Sequence, residues 1–297
     1  MRVGIVFALL GCVLLLDGCG AGESASAQPV VVAAFYPLAF AAERIDPSAD
    51  VENLTPAGAE PHDLELSPRD VQRIENADAV LYLGDGFMPA LEDAVAGDSN
   101  AVDLLAGLQL REATEGHGHD EDEAGHPEDV SRFDPHVWLD PTRFATLVRN
   151  VANALGRPEA AKELVAELEE LDAEFRSGLA NCARRAIVTS HAAFGYLAQA
   201  YGLKQIPLTG VSPEAEPSAK AIQALVREVK EEGATTVFFE TLVSPRLAET
   251  VAREAGAQTA VLNPLEGLTA EQIDGGQDYF SVMRENLAAL REALGCQ

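Results

Sequence analysis

A chain of 297 residues is long enough for two modest domains with cores of their own, and 47% hydrophobic against 23% charged residues is a globular composition. Its 48 Asp+Glu against 21 Lys+Arg give a formal net charge of -27, a field that repels phosphate backbones, argues against a nucleic-acid partner and concentrates cations. Acidity also serves plain solubility, so charge alone names no ligand.

Arg2 precedes an apolar stretch at 3–16, followed by Leu16-Asp17-Gly18-Cys19. This is too short to span a bilayer, which takes about 20 apolar residues, and reads as a signal peptide over 1–18. The small residue before Cys19 matches a bacterial lipoprotein cleavage signal, although Asp17 is an unusual occupant of that box. Cys19 is therefore expected to carry a lipid, and residues 19–29, rich in Gly, Ser and Ala, to form a flexible tether. The chain is expected outside the cytoplasm, anchored to the bacterial membrane. Disulfides persist there, and Cys182 and Cys296 are expected to pair. Free thiols are one alternative. Metal ligation is another, disfavoured because no Cys lies near a second Cys or a His at ligand spacing.

The apolar run 30–34 predicts a buried strand, 38–45 a helix and 51–54 a second strand. After the loop 55–61, Ser67-Pro68 opens a helix with Val71 and Ile74 on one face, and 79–83 predicts a third strand. Over 112–129 the pattern gives way to Glu, Asp, His and Gly, read as a mobile acidic loop. A strand-like run around Trp138 restores order. Two helices follow at 142–155 and 159–179, the second with Leu164, Leu168, Leu171 and Phe175 at helical spacing. The second half repeats the alternation: strands at 186–189, 236–239 and 259–262, and helices at 192–201, 217–231, 245–255 and 279–294. The fold class is α/β. Two parallel-sheet lobes, 30–141 and 181–297, are bridged by one long α-helix within a connector at 142–180.

Six histidines fall into two groups. His117, His119 and His126 lie in the acidic loop, as auxiliary metal collectors or as part of a solvated insert. His62, His136 and His191 stand alone, and a lone histidine is ordinarily a surface or satisfied core residue. Their placement argues otherwise. His191 directly follows a predicted strand, His62 lies on the loop leaving another, and Glu266 follows the strand at 259–262. Ligands of open α/β sheets gather at the carboxyl ends of strands. Three imidazoles and one carboxylate make a tetrahedral zinc shell, although spacing alone does not establish that they converge.

Three segments carry a resemblance: Pro61-His62-Asp63-Leu64-Glu65-Leu66-Ser67-Pro68, Asp134-Pro135-His136-Val137-Trp138-Leu139-Asp140-Pro141, and Ser190-His191-Ala192-Ala193-Phe194-Gly195-Tyr196. In this order, with an acidic His loop between the first two, the chain resembles the zinc- and manganese-type solute-binding lipoproteins of bacterial ABC importers. The resemblance implies that His62, His136 and His191 bind metal, that the metal site lies between the two lobes, and that the chain passes Zn2+ to a permease and its ATPase, as a monomer. Many relatives have an Asp-Pro-Leu segment whose Asp binds metal, and here it reads Asn263-Pro264-Leu265-Glu266. A neutral amide binds zinc weakly, so the fourth ligand is expected to be Glu266, with Glu60 or water as alternatives. Keeping His191 favours zinc over Mn2+, because imidazoles suit zinc. A manganese-binding counterpart, a zinc-dependent hydrolase using the same ligands and an adhesin are the other readings. No His-Glu-x-x-His helix, nucleophile elbow or Gly-rich phosphate loop favours catalysis. Glu240 is either support for a ligand histidine or a plain salt bridge or helix cap, and Glu216 complements the helix it precedes.

Overall fold

A computed structural model describes residues 28–113, 132–213 and 217–297. The expected signal peptide, Cys19, His117, His119, His126 and Glu216 lie outside the described residues. In the first half the elements run β1 (Val30–Ala33), α1 (Tyr36–Ile45), β2 (Asp50–Asn53), α2 (Pro68–Glu75), β3 (Ala79–Tyr82), α3 (Pro89–Ala94) and β4 (Ala101–Asp103). Two helices follow, α4 (Pro141–Ala154) and α5 (Ala161–Leu179). The second half contains β5 (Ala186–Thr189), α6 (Gly195–Tyr201), β6 (Lys204–Pro207), α7 (Ala219–Glu231), β7 (Thr236–Phe239), α8 (Arg246–Ala255), β8 (Gln258–Val261), α9 (Ala270–Asp274) and α10 (Tyr279–Leu294).

Each half builds a parallel four-stranded sheet, ordered β2-β1-β3-β4 and β6-β5-β7-β8. In both, the first strand of the half lies between the second and third, with Val31 opposite Val51 and Ala79, and Val188 opposite Ile206 and Val237. The inner strands are short and largely apolar, as suits strands covered on both faces. In the second sheet, alternate side chains serve different cores. Val188 and Val237 pack with Leu225 and Val251 of the outer helices, whereas Ile187 and Phe238 join the main core. That main core is continuous. It runs from Val32 and Leu81 through Leu147, Leu168 and Phe175 to Met283 and Leu290. The spacing of Leu164, Leu168, Leu171 and Phe175 explains how α5 bridges the halves: it packs on α4 and α1 on one side and on α10 and α6 on the other.

Four elements escape periodicity, one of them α9, five residues long with no buried side chain. Strand β4 is three residues long, β6 is polar over Lys204-Gln205, and α3 has one buried side chain, Leu91. The two strands lie at sheet edges, where burial is incomplete and no clean pattern is imposed. The run around Trp138 is not a strand. Val137–Leu139 is a 3-10 turn, because Pro135 and Pro141 bracket it and the amide of Leu139 donates to the His136 carbonyl at 3.3 Å. Cys182 and Cys296 are disulfide-bonded, 114 residues apart in sequence. Gly295, left-handed at φ 65, ends α10 and turns Cys296 towards Cys182.

Candidate metal centre

His191 follows β5 and begins the short turn Ala192–Phe194. Its carbonyl is held by the Thr189 hydroxyl at 2.7 Å and the Gln205 amide at 3.1 Å, so the backbone is fixed before the ring is aimed. The ring is aimed by Glu240, just beyond β7, whose Oε1 lies 2.5 Å from His191 Nδ1 and also accepts from the Ser190 hydroxyl. A carboxylate on Nδ1 fixes the tautomer and turns Nε2 outward. Glu240 thus pairs with His191, a contact common to both readings of it, support for a ligand histidine and a plain salt bridge.

His136 is oriented in the same way. Asp134 Oδ1 lies 2.8 Å from His136 Nδ1 and accepts from the His136 amide at 3.0 Å. Asp134 is itself tied down: the Tyr196 hydroxyl donates to its carbonyl at 2.9 Å and accepts from the Arg111 amide at 2.8 Å. The motif's Gly195 is required here, because a Cβ there would stand 2.5 Å from Arg111 Nη1 and 2.7 Å from Asp134 Oδ2. In the sequence Asp134 stands out only as the start of the segment Asp134–Pro141, although its place two residues before a histidine is an available signal for this contact. His62, in the turn Pro61–Asp63, meets the ring of Phe87 edge-on at 4.8 Å. Among the described residues no carboxylate holds its Nδ1.

Glu266 is delivered by a strained turn. Asn263 Oδ1 accepts from the Leu265 amide at 2.7 Å, and its Nδ2 donates to Thr241 Oγ1 at 3.3 Å. Asn286 clamps the Asn263 backbone from both sides, accepting from its amide at 2.8 Å and donating to its carbonyl at 2.7 Å. Leu265 is thereby held at φ 57, a left-handed conformation that costs a non-glycine residue about 1–3 kcal/mol. Asn263 is thus a turn-builder. Trp138 is fully buried 5.2 Å from His136, ring to ring, and donates from Nε1 to the Pro264 carbonyl at 2.7 Å. The indole is thus both a wall of the site and a tether for the turn.

The four donors converge. Glu266 Oε1 lies 3.2 Å from His62 Nε2, 2.8 Å from His136 Nε2 and 3.3 Å from His191 Nε2. The Nε2 atoms of His136 and His191 are 3.2 Å apart, and all four donors fall within 4.8 Å of one another. A tetrahedral zinc ion with bonds of about 2.0–2.1 Å has donor–donor edges of about 3.3 Å, so this spacing fits such a shell. His136, His191 and Glu266 are fully buried, and the His62 side chain is 9% exposed. Of the other candidates for the fourth position, Glu60 groups with Glu240 and Glu266 and not with the three imidazoles.

Burial alone would depress His191, but Glu240 and Glu266 override it and hold the imidazolium well above the ordinary histidine value. Burial is likewise outweighed at His136, by Asp134 and Glu266, and its pKa is raised. At His62 burial wins over Glu266 and the pKa is lowered. Burial would raise Glu266, yet His191, His136 and His62 keep it well below the usual carboxylate range. Burial, followed by the charge of Glu266, pushes Glu60 up to about 9. The site is an ion cluster in which protons stand where a cation would bind.

Residues 31–293 match the family described as "ZnuA: Zinc-uptake complex component A periplasmic". The zinc-binding protein AdcA of Streptococcus pyogenes serotype M3 is 41% identical over 283 residues, covering 88% of this chain and 55% of the relative. The chain thus spans about half the length of that relative. The high-affinity zinc uptake system protein ZnuA of Bacillus subtilis is 35% identical over 309 residues, covering 97% of each. The crystal structure of the Zn(II)-bound ZnuA-like domain of Streptococcus pneumoniae AdcA superposes with a TM-score of 0.73 at 34% identity, covering 90% of this chain and 99% of that one. Sequence, fold and donor set agree, and the chain belongs to the ZnuA family of zinc-uptake components.

Proposed function

We propose that the chain is the extracytoplasmic binding component of a zinc importer, capturing Zn2+ with His62, His136, His191 and Glu266 and passing it to an ABC-type permease and its ATPase. The observation that carries this reading is the spacing of the four donors, three imidazole nitrogens 2.8–3.3 Å from one fully buried carboxylate oxygen. Anchoring at Cys19 as a lipoprotein, and action as a monomer, belong to the same reading. Four protein donors complete a tetrahedral shell, whereas a catalytic zinc site keeps one position open for water, so binding is favoured over hydrolysis. Three imidazoles favour zinc over manganese, which seeks oxygen.

The donors come from both halves: His62 from the turn after β2, and His191 and Glu266 from loops after β5 and β8. Relative displacement of the halves would break the shell and release the ion. Because the main core is continuous through α5, that displacement is a small local shift and not a wide hinge opening. The importer reading is tested in a strain lacking the gene. Growth in chelated medium should fail and be restored by the wild-type chain but not by His136→Ala; full rescue by His136→Ala would count against it.

Glu240→Gln should weaken zinc binding about 10–100-fold while the fold persists, as loss of a carboxylate behind a ligand histidine does. Competition with a chromophoric chelator measures this, and an unchanged constant would reduce Glu240 to a structural ion pair. The pH dependence has a definite sign. His191 and His136 hold protons above the ordinary histidine range, and zinc must displace them. Affinity should therefore keep rising with pH beyond about 6.5, by about tenfold per pH unit for each proton displaced. The His191 contribution to stability of the metal-free protein runs the other way. It is full below the unfolded value of about 6.5 and is lost as pH climbs through the raised folded value. Zinc titrations at several pH values, with proton release read by calorimetry in two buffers, check the affinity trend.

A further inference from the structure

Beside the imidazole shell, four buried carboxylate oxygens have no hydrogen-bond donor: Oε1 and Oε2 of Glu60, Oε2 of Glu240 and Oε2 of Glu266. Glu240 is 2% exposed and Glu266 is fully buried. A buried polar atom left unpaired costs about 1–3 kcal/mol, and more if charged. Oxygens of these three side chains nevertheless lie within 4.8 Å of one another. Glu266 spends Oε1 on the three imidazoles, and Glu240 spends Oε1 on His191 and Ser190. Each leaves its second oxygen without a donor of the protein, and the hydrogen bond between Glu60 and Glu266 is a proton shared by two carboxylates, a place a cation would take over. Glu60 reaches the same place because its loop is stitched across the halves, with the Gly58 amide donating to the Leu268 carbonyl at 3.0 Å.

We infer that Glu60, Glu240 and Glu266 form a second divalent-cation position, built of oxygen alone and sharing Glu266 with the imidazole shell. Its chemistry differs from that of its neighbour. Three carboxylates with no nitrogen donor select a hard cation, Mn2+, Ca2+ or Mg2+, with water completing the coordination. Glu266 then bridges two ions, one per oxygen, an arrangement in which paired metals lie about 3.5–4 Å apart. The shared residue makes this inference rest on the proposed zinc site only for the identity of its neighbour. The three carboxylates stand together whether or not zinc is the cargo.

The test loads the full protein with one equivalent of Zn2+ and titrates it with Mn2+, following the loss of the free Mn2+ signal by electron paramagnetic resonance. Wild type and Glu60→Gln are compared, so that weak binding elsewhere on an acidic surface cancels. The expected result is one more bound Mn2+ in the wild type, with both proteins keeping their zinc. Equal Mn2+ uptake would overturn the inference, leaving water as the occupant. Loss of zinc together with Mn2+ in Glu60→Gln would also overturn it, by making Glu60 part of a single site. Failure of the wild type to bind zinc at all would defeat the importer reading instead, and the Mn2+ comparison would still decide the second position. If Glu60→Gln does not fold, anomalous diffraction from Mn2+-soaked wild-type crystals decides it: a peak among the three carboxylates is expected, and none there overturns the inference.

Discussion

His191→Ala should abolish the tight zinc equivalent, lowering affinity on the order of 10²–10³-fold or more. His191 is at once a donor to the shell and the centre of a charge network. Its Nδ1 neutralises Glu240 and its Nε2 faces Glu266, all three within the buried site. Removing one partner of a buried ion pair costs about 3–5 kcal/mol, since the other charge is left without compensation. That cost falls on the metal-free protein; the affinity loss comes from taking one of four donors out of the shell and should exceed the roughly 10–100-fold lost with a group behind a ligand histidine. His62→Ala gives the contrast. No carboxylate holds its Nδ1 among the described residues, and its side chain is the one partly exposed at 9%. It should cost zinc affinity while leaving the metal-free protein's melting temperature nearly unchanged, whereas His191→Ala should lower both. Parallel zinc titrations and thermal scans of metal-free samples check the pair. Equal melting temperatures for the two variants would mean that the Glu240 pairing stabilises nothing.

Replacing both Cys182 and Cys296 by serine should lower unfolding stability by about 2–5 kcal/mol. The bond closes a loop of 114 residues, and a cross-link across a loop that long removes much of the unfolded chain's freedom. It also ties the last turn of α10 to the segment that enters β5, where the Arg184 amide already donates to the Leu294 carbonyl at 3.0 Å. Cys182 precedes β5 and His191 follows it, so the disulfide and the metal centre lie at opposite ends of the same strand. Zinc affinity should therefore change little while stability drops. Urea midpoints beside zinc titrations separate the two effects. An unchanged midpoint would mean that the packing of α10 alone holds the chain's end.

The parts of the site legible in the sequence were those fixed by backbone topology. A strand of four apolar residues followed at once by Ser190-His191 places an imidazole at a strand's carboxyl end, and the same logic picks out Glu266 after β8. Helix α10 was readable to the residue, since Asp278 caps it and Gly295 ends it. Edge strands β4 and β6 were not, because half-buried, polar or three-residue strands leave no periodic trace. What periodicity cannot see at all is which polar groups meet across the fold. The pairing of Asp134 with His136, the left-handed Leu265 that turns Glu266 inward, and the unpaired oxygens of Glu60 all depend on tertiary contact. Asn263 illustrates the limit. As a sequence position it is a poor ligand; in the fold it shapes the turn that presents a good one.

The most direct test is the crystal structure of the zinc-loaded protein, with anomalous data collected on both sides of the zinc edge. A single strong peak is expected about 2.0–2.2 Å from Nε2 of His62, His136 and His191 and from a carboxylate oxygen of Glu266. A peak elsewhere, or none at saturating zinc, would contradict the assignment of this site.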